Sequence, residues 1–99
     1  MNVVNSIIRI LEISPIKLYN NVTIIKLRAQ LPCIRNKVQL PIIIECFILG
    51  DLAYDLNNYY RINDYILVEG YLSTFSENSR NLISIKLNIT KLYPFLFIF

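Results

Sequence analysis

Apolar and polar positions alternate along most of this chain, the period-two signature of strands that bury one face. In 22–31, VTIIKLRAQL, Ile25, Leu27, Ala29 and Leu31 fall on one face and Lys26, Arg28 and Gln30 on the other. In 82–92, LISIKLNITKL, Ile83, Ile85, Leu87 and Ile89 point one way and Ser84, Lys86, Asn88 and Thr90 the other. Residues 3–13, VVNSIIRILEI, predict a first strand ended by Ser14-Pro15, with a tip at Tyr19-Asn20-Asn21 before the second strand. Residues 65–75 predict a fourth, with Ile66, Val68 and Leu72 on one face and Tyr65, Leu67, Glu69, Tyr71 and Phe75 on the other. The third strand, 42–49, IIIECFIL, is nearly continuous in apolar character, which predicts burial on both faces. PCIRNKVQLP reads as a loop bounded by Pro32 and Pro41, and SENSRN as a polar hairpin loop.

The period changes in GDLAYDLNNYY. Asp51 is the expected N-cap, and Leu52, Ala53, Leu56 and Tyr59 lie on one helical stripe. Arg61 to Asp64 makes a turn. The resulting order, β-β-β-α-β-β, predicts an all-β fold: a five-stranded OB-fold Greek-key barrel with one short helix between strands three and four. The chain has two glycines, and one of them, Gly70, falls inside the fourth strand. It is expected to bend a strand that serves both sides of a small barrel; the alternative is that it makes room for a neighbour.

At 99 residues the chain is expected to form one domain, 1–99. An apolar fraction of 55% against 17% charged residues argues against disorder. A net charge of +3 is compatible with a polyanionic partner. Cys33 and Cys46 form no CxxC pair and there is no histidine, so neither a zinc site nor any other cofactor is expected. Cys46 reads as a buried thiol, and a Cys33–Cys46 disulfide is not indicated. No apolar run approaches the roughly 18–20 residues of a membrane span. The opening MNVVNSIIRILEI lacks the basic start and small-residue cleavage site of a signal peptide. Isoleucine, asparagine, tyrosine and leucine dominate while glycine and alanine are scarce, a usage that A/T-rich codons produce. An organelle genome, a low-GC bacterium or a parasite would supply such a gene.

The stretch IIIECFILGDLAYDLNNYYRINDYILVEGYL (42–72) resembles the bacterial and organellar single-stranded-DNA-binding protein family. FILGDLA matches a third strand ending in glycine before a leucine-alanine helix start, and ILVEGYL matches the pattern V-x-V-E-G-x-L of the fourth strand. The resemblance covers a core of about residues 5–92, leaving 93–99 as an apolar tail. A priming-protein branch is about equally similar. Length and residue usage are similar to a plastid-encoded branch of red algae and related lineages, which implies the plastid stroma. The family implies an OB-fold that pairs into dimers or tetramers and binds single strands without sequence preference; single-stranded DNA is the expected partner, with RNA left open. This chain departs from it. It has no tryptophan, the third-strand aromatic positions fall on Ile43 and Leu49, and two basic positions fall on Glu45 and Asp51. YPFLFIF stands where the family has an acidic tail.

The candidate binding residues are Lys26 and Arg28 on strand two, Tyr71 and Phe75 on strand four and Lys86 on strand five. Arg35, Lys37 and Arg80 sit in loops that could close over a strand. Cations neutralise phosphates and aromatic rings stack bases. The competing reading makes the cations a solvated face and the two rings a subunit contact. In that case the protein is an OB-fold interaction or scaffold subunit whose apolar tail folds back or joins a homo-oligomer. An enzyme is not expected: there is no histidine, no recognisable nucleophile setting and no phosphate-cradling glycine loop.

Overall fold

The chain runs β1 (Val3–Ile13), β2 (Lys17–Tyr19), β3 (Val22–Leu31), β4 (Ile42–Leu49), α1 (Asp51–Tyr59), β5 (Tyr65–Glu77) and β6 (Leu82–Pro94). This is a computed structural model that describes residues 3–31, 42–77 and 82–95, with the side chains of 75–77 and 82–84 outside that description. The strand order is β1-β5-β6-β4-β3-β2, and a β1–β3 pairing closes the first five of these into a barrel. All neighbours are antiparallel except β4 and β6, which run parallel. This is the OB-fold topology expected from the strand order, with β2 added as a short edge.

β2 has a local cause. Asn20 and Asn21 both take positive φ (49° and 64°), the two-residue turn whose twist suits a hairpin. That turn folds Lys17–Tyr19 back onto Val22–Ile24. Three residues behind a proline carry too little pattern to be read as a strand.

Barrel closure depends on β1. Its first part pairs with β5 (Val3↔Tyr71 to Arg9↔Tyr65) and its last part with β3 (Arg9↔Gln30 to Ile13↔Leu27). Leu11 is skipped between Ile10↔Ala29 and Glu12↔Arg28, and this bulge bends the strand from one partner to the other.

Gly70 is therefore not the bend, and the second of its two readings holds. Its φ is not positive, so conformational freedom is not what it supplies. A Cβ there would overlap the carbonyl oxygen of Asn88 and lie 2.9 Å from its carbonyl carbon and 3.1 Å from the Ile89 Cα. The register with β6 shifts at this point, from Glu69↔Lys91 to Gly70↔Ile89, so Thr90 bulges out of β6. The Thr90 hydroxyl donates to the Glu69 carbonyl at 3.1 Å. The bulge presses the β6 backbone onto β5, and only glycine admits it.

Inside the barrel, Ile8, Ile10, Ile25, Leu27, Ala29, Cys46, Ile48, Ile66, Val68, Leu87 and Ile89 make one core. Each fully buried large side chain contributes about 1.5–3 kcal/mol. Ala53 and Leu56 of α1 complete this core, where the helix packs against β3, β4 and β6. Two helix expectations are corrected. The N-cap is Gly50, not Asp51: its φ of 77° turns the chain out of β4 and its carbonyl accepts from the Ala53 N–H at 3.0 Å. Asp51 is instead the acidic residue of the first turn, where the helix dipole favours it. Tyr59 points to solvent, and Tyr60 beyond the helix packs on the core in its place.

β4 is buried on one face only. Cys46 and Ile48 face the core and Ile44 packs against it, whereas Ile43 and Leu49 are exposed. An interior strand of a closed barrel still has an outside, so its apolar run reflects an unusually apolar surface rather than a second buried face. β5 and β6 also run past their expected ends, taking Ser76 and Glu77 from the hairpin loop and Tyr93 and Pro94 from the tail.

Candidate functional site

The outward residues of β3, β4, β6 and β5 line up in two rows across the sheet. One runs Lys26, Phe47, Asn88, Tyr71, each the register partner of the next. The other runs Arg28, Glu45, Lys86, Ser73, and Glu12 on β1 extends it beyond Arg28. Neighbouring strands lie about 4.8 Å apart, so each four-residue row spans about 14 Å. The rows exist because inward Ile25, Leu27, Cys46, Ile48 and Leu87 fix the parity of their strands. A one-residue slip would exchange the two faces.

Charge and aromaticity interlock on this face. Lys26 Nζ lies 3.3 Å from Glu45 Oε1, and Arg28 Nη1 donates to Glu12 Oε1 at 3.3 Å. The Lys86 ammonium sits 5.0 Å from the centre of the Phe47 ring, within cation–π range. Asn88 Nδ2 donates to the Ser73 hydroxyl at 2.9 Å and to the Tyr71 carbonyl at 3.3 Å, tying the rows together. Both carboxylate pairs are substantially exposed, and such pairs contribute about 0–1 kcal/mol. Breaking either pair therefore costs little, but the freed carboxylate stays beside its cation and repels an incoming phosphate. A shallow cleft between β1, β3 and β4 is lined by Glu12, Ser14, Lys26, Arg28 and Glu45.

The structure thus brings Lys26, Arg28, Tyr71 and Lys86 to one face. Phe75 continues β5 opposite Ser84, with its side chain outside the described set. Arg35, Lys37 and Arg80 lie outside the described residues, as does Cys33. Phe47 is the residue that sequence reading missed. Parity with Glu45, or with the buried thiol of Cys46, would have found it, but the nearly continuous apolar run was read as buried on both faces. Ile43 and Leu49, where the aromatic positions fall, share that outward parity and offer apolar area without rings.

Beneath the face, the Cys46 thiol is buried between Leu27 and Leu87 in the register. Burial, with a smaller contribution from the Glu45 charge, pushes its pKa up to about 12, so it is a structural thiol and not a nucleophile. Among the described residues no three His, Cys, Asp or Glu side chains cluster as metal ligands, and no helix is long and apolar enough to cross a membrane.

No family model matches the chain. It is 33% identical over 102 residues to the candidate single-stranded-DNA-binding protein ycf41 of Trieres chinensis, covering 97% of this chain and 90% of that one. Among solved structures, the SSB domain of a Synechococcus protein superposes with a TM-score of 0.76 at 21% identity, over 94% of both chains. A small single-stranded-DNA-binding protein of Streptomyces coelicolor gives 0.79 at 13% identity, over 97% of both chains. PriB of Ralstonia solanacearum gives 0.74 at 14% identity, over 95% of this chain and 97% of that one. At these identities the structural likenesses carry the fold alone.

Proposed function

We propose a function for a chain that belongs to the ycf41 family of single-stranded-DNA-binding proteins: it binds single-stranded DNA without sequence preference on the outward face of β3, β4, β6 and β5. The observation that carries this reading is the registered row Lys26–Phe47–Asn88–Tyr71, which sets two aromatic rings and a cation along one line. Phe47 and Tyr71 offer stacking faces that tolerate any base, each contributing about 1–3 kcal/mol per base. Lys26, Arg28 and Lys86 supply the phosphate contacts. Phe75, Arg35, Lys37 and Arg80 extend the site in this proposal.

A homo-oligomer, a dimer or tetramer, is part of the proposal. Ile7, Leu67 and Tyr93 form an outward row across β1, β5 and β6, and Leu67 and Tyr93 are exposed. This apolar band supports a contact between copies of the chain. A role in plastid DNA replication or maintenance, in the stroma, is supported by the plastid-like residue usage and by kinship with the ycf41 protein. No catalytic role is assigned.

The chain has seven tyrosines and no tryptophan, and Tyr71 lies in the row, so a base stacked there quenches part of the tyrosine emission. Titration with oligo-dT at low salt should quench it and retard the oligonucleotide on a gel. Neither effect at low salt would remove the reading and favour an OB-fold interaction subunit.

A further inference from the structure

Glu45 stands where an anion-binding face would least be expected to hold a carboxylate. Its register neighbours are Arg28 on β3 and Lys86 on β6, and Lys26 reaches it at 3.3 Å. Glu12 holds Arg28 from the far side, also at 3.3 Å. Among the described residues of the two rows, three cations therefore face two carboxylates.

The positions have chemical consequences. A phosphate that reaches Lys26 or Arg28 must displace a carboxylate and then remain beside it. A ligand that offers only phosphates gains little from such a face. A ligand that also offers unstacked bases gains the rings of Phe47 and Tyr71, which lie in the adjacent row. In duplex DNA the bases are stacked within the helix, so a flat sheet meets mainly the backbone, at about twice the charge density of a single strand, and a carboxylate on the face repels the duplex more.

We propose that Glu45, assisted by Glu12, is a specificity-determining residue that makes this face select single strands with exposed bases and reject duplexes and other polyanions. Specificity of this kind comes from a built-in repulsion as much as from attraction. The inference rests on the single-strand reading above and deepens it.

The test compares the full chain with Glu45→Gln and, separately, Glu12→Gln. The ligands are oligo-dT, a mixed-sequence duplex of the same length and heparin, at about 50 and about 200 mM salt. Circular dichroism confirms folding, and the second variant, on a different strand, guards against a local disturbance in the first. Glu45→Gln should raise duplex and heparin affinity about fivefold or more, and oligo-dT affinity by clearly less, so that the single-strand to duplex ratio falls. Glu12→Gln should move the ratio in the same direction by a smaller factor. Equal gains on all three ligands, or no gains, while the wild type still binds oligo-dT, overturn the selection and leave the single-strand reading standing. No oligo-dT binding by the wild type at low salt overturns both.

Discussion

The Lys86 ammonium lies 5.0 Å from the centre of the Phe47 ring, one strand away on the same outward face. Cation–π contact at an exposed site is worth about 0.5–1 kcal/mol, less than the 1–3 kcal/mol estimated for a stacked base. A base can therefore take the ring from the lysine, which keeps its charge beside the incoming phosphate. Phe47→Leu keeps the apolar area and removes the ring. It should weaken oligo-dT binding by about 1–3 kcal/mol, read by retardation of a labelled oligonucleotide, with Tyr71→Ala doing the same independently.

The Lys26–Glu45 pair joins β3 to β4 between half-exposed side chains. It should contribute little to folding. Lys26→Met and Glu45→Gln, alone and together, should each change urea stability by less than about 1 kcal/mol, with coupling in the same range. A coupling well above that would make the pair structural and leave less of it available to phosphate.

The two glycines should fail differently when replaced. Gly70→Ala drives a methyl group into the Asn88 carbonyl, which belongs to the backbone and cannot swing away. A loss of about 3 kcal/mol or more in urea unfolding is expected. Gly50→Ala meets no atom within 4 Å and pays only for its φ of 77°. About 1–3 kcal/mol is expected there, with the oligo-dT site intact.

Cys46 gives a pH signature. Its folded pKa of about 12 stands above the ordinary 9.0. The stability this contributes is fully present below about pH 9 and is lost as pH rises toward 12, because the unfolded thiol ionises first. In a Cys33→Ser background, Cys46 should resist a thiol reagent at pH 8 and react fully in denaturant. Cys46→Ala should lose less stability between pH 9 and 11 than its parent.

Much of this was legible in the sequence. The alternation in VTIIKLRAQL placed Lys26 and Arg28 outside and Leu27 and Ala29 inside, as the barrel has them. The strand order pointed to the OB-fold, which the barrel closure bears out. Phe47 was hidden because an outward face built from Ile43, Phe47 and Leu49 breaks the usual polar-out rule; Glu45, the one polar residue of the run, shares that parity and was the signal that could have placed the ring outside. Glu45 read as a charge reversal in isolation, because its pairing with Lys26 depends on a cross-strand register that no local pattern shows. Gly70 read as a bend because close backbone approach depends on Thr90 bulging from another strand.

The most direct test is the salt dependence of oligo-dT binding by the whole chain, measured beside Phe47→Leu. With three cations on the face, log Kobs should fall against log salt with a slope between about −1 and −2. Phe47→Leu should lower affinity at every salt concentration while keeping that slope, which separates stacking from charge. Absence of binding at about 50 mM salt, or binding that Phe47→Leu leaves unchanged, would contradict a single-strand interface on this face.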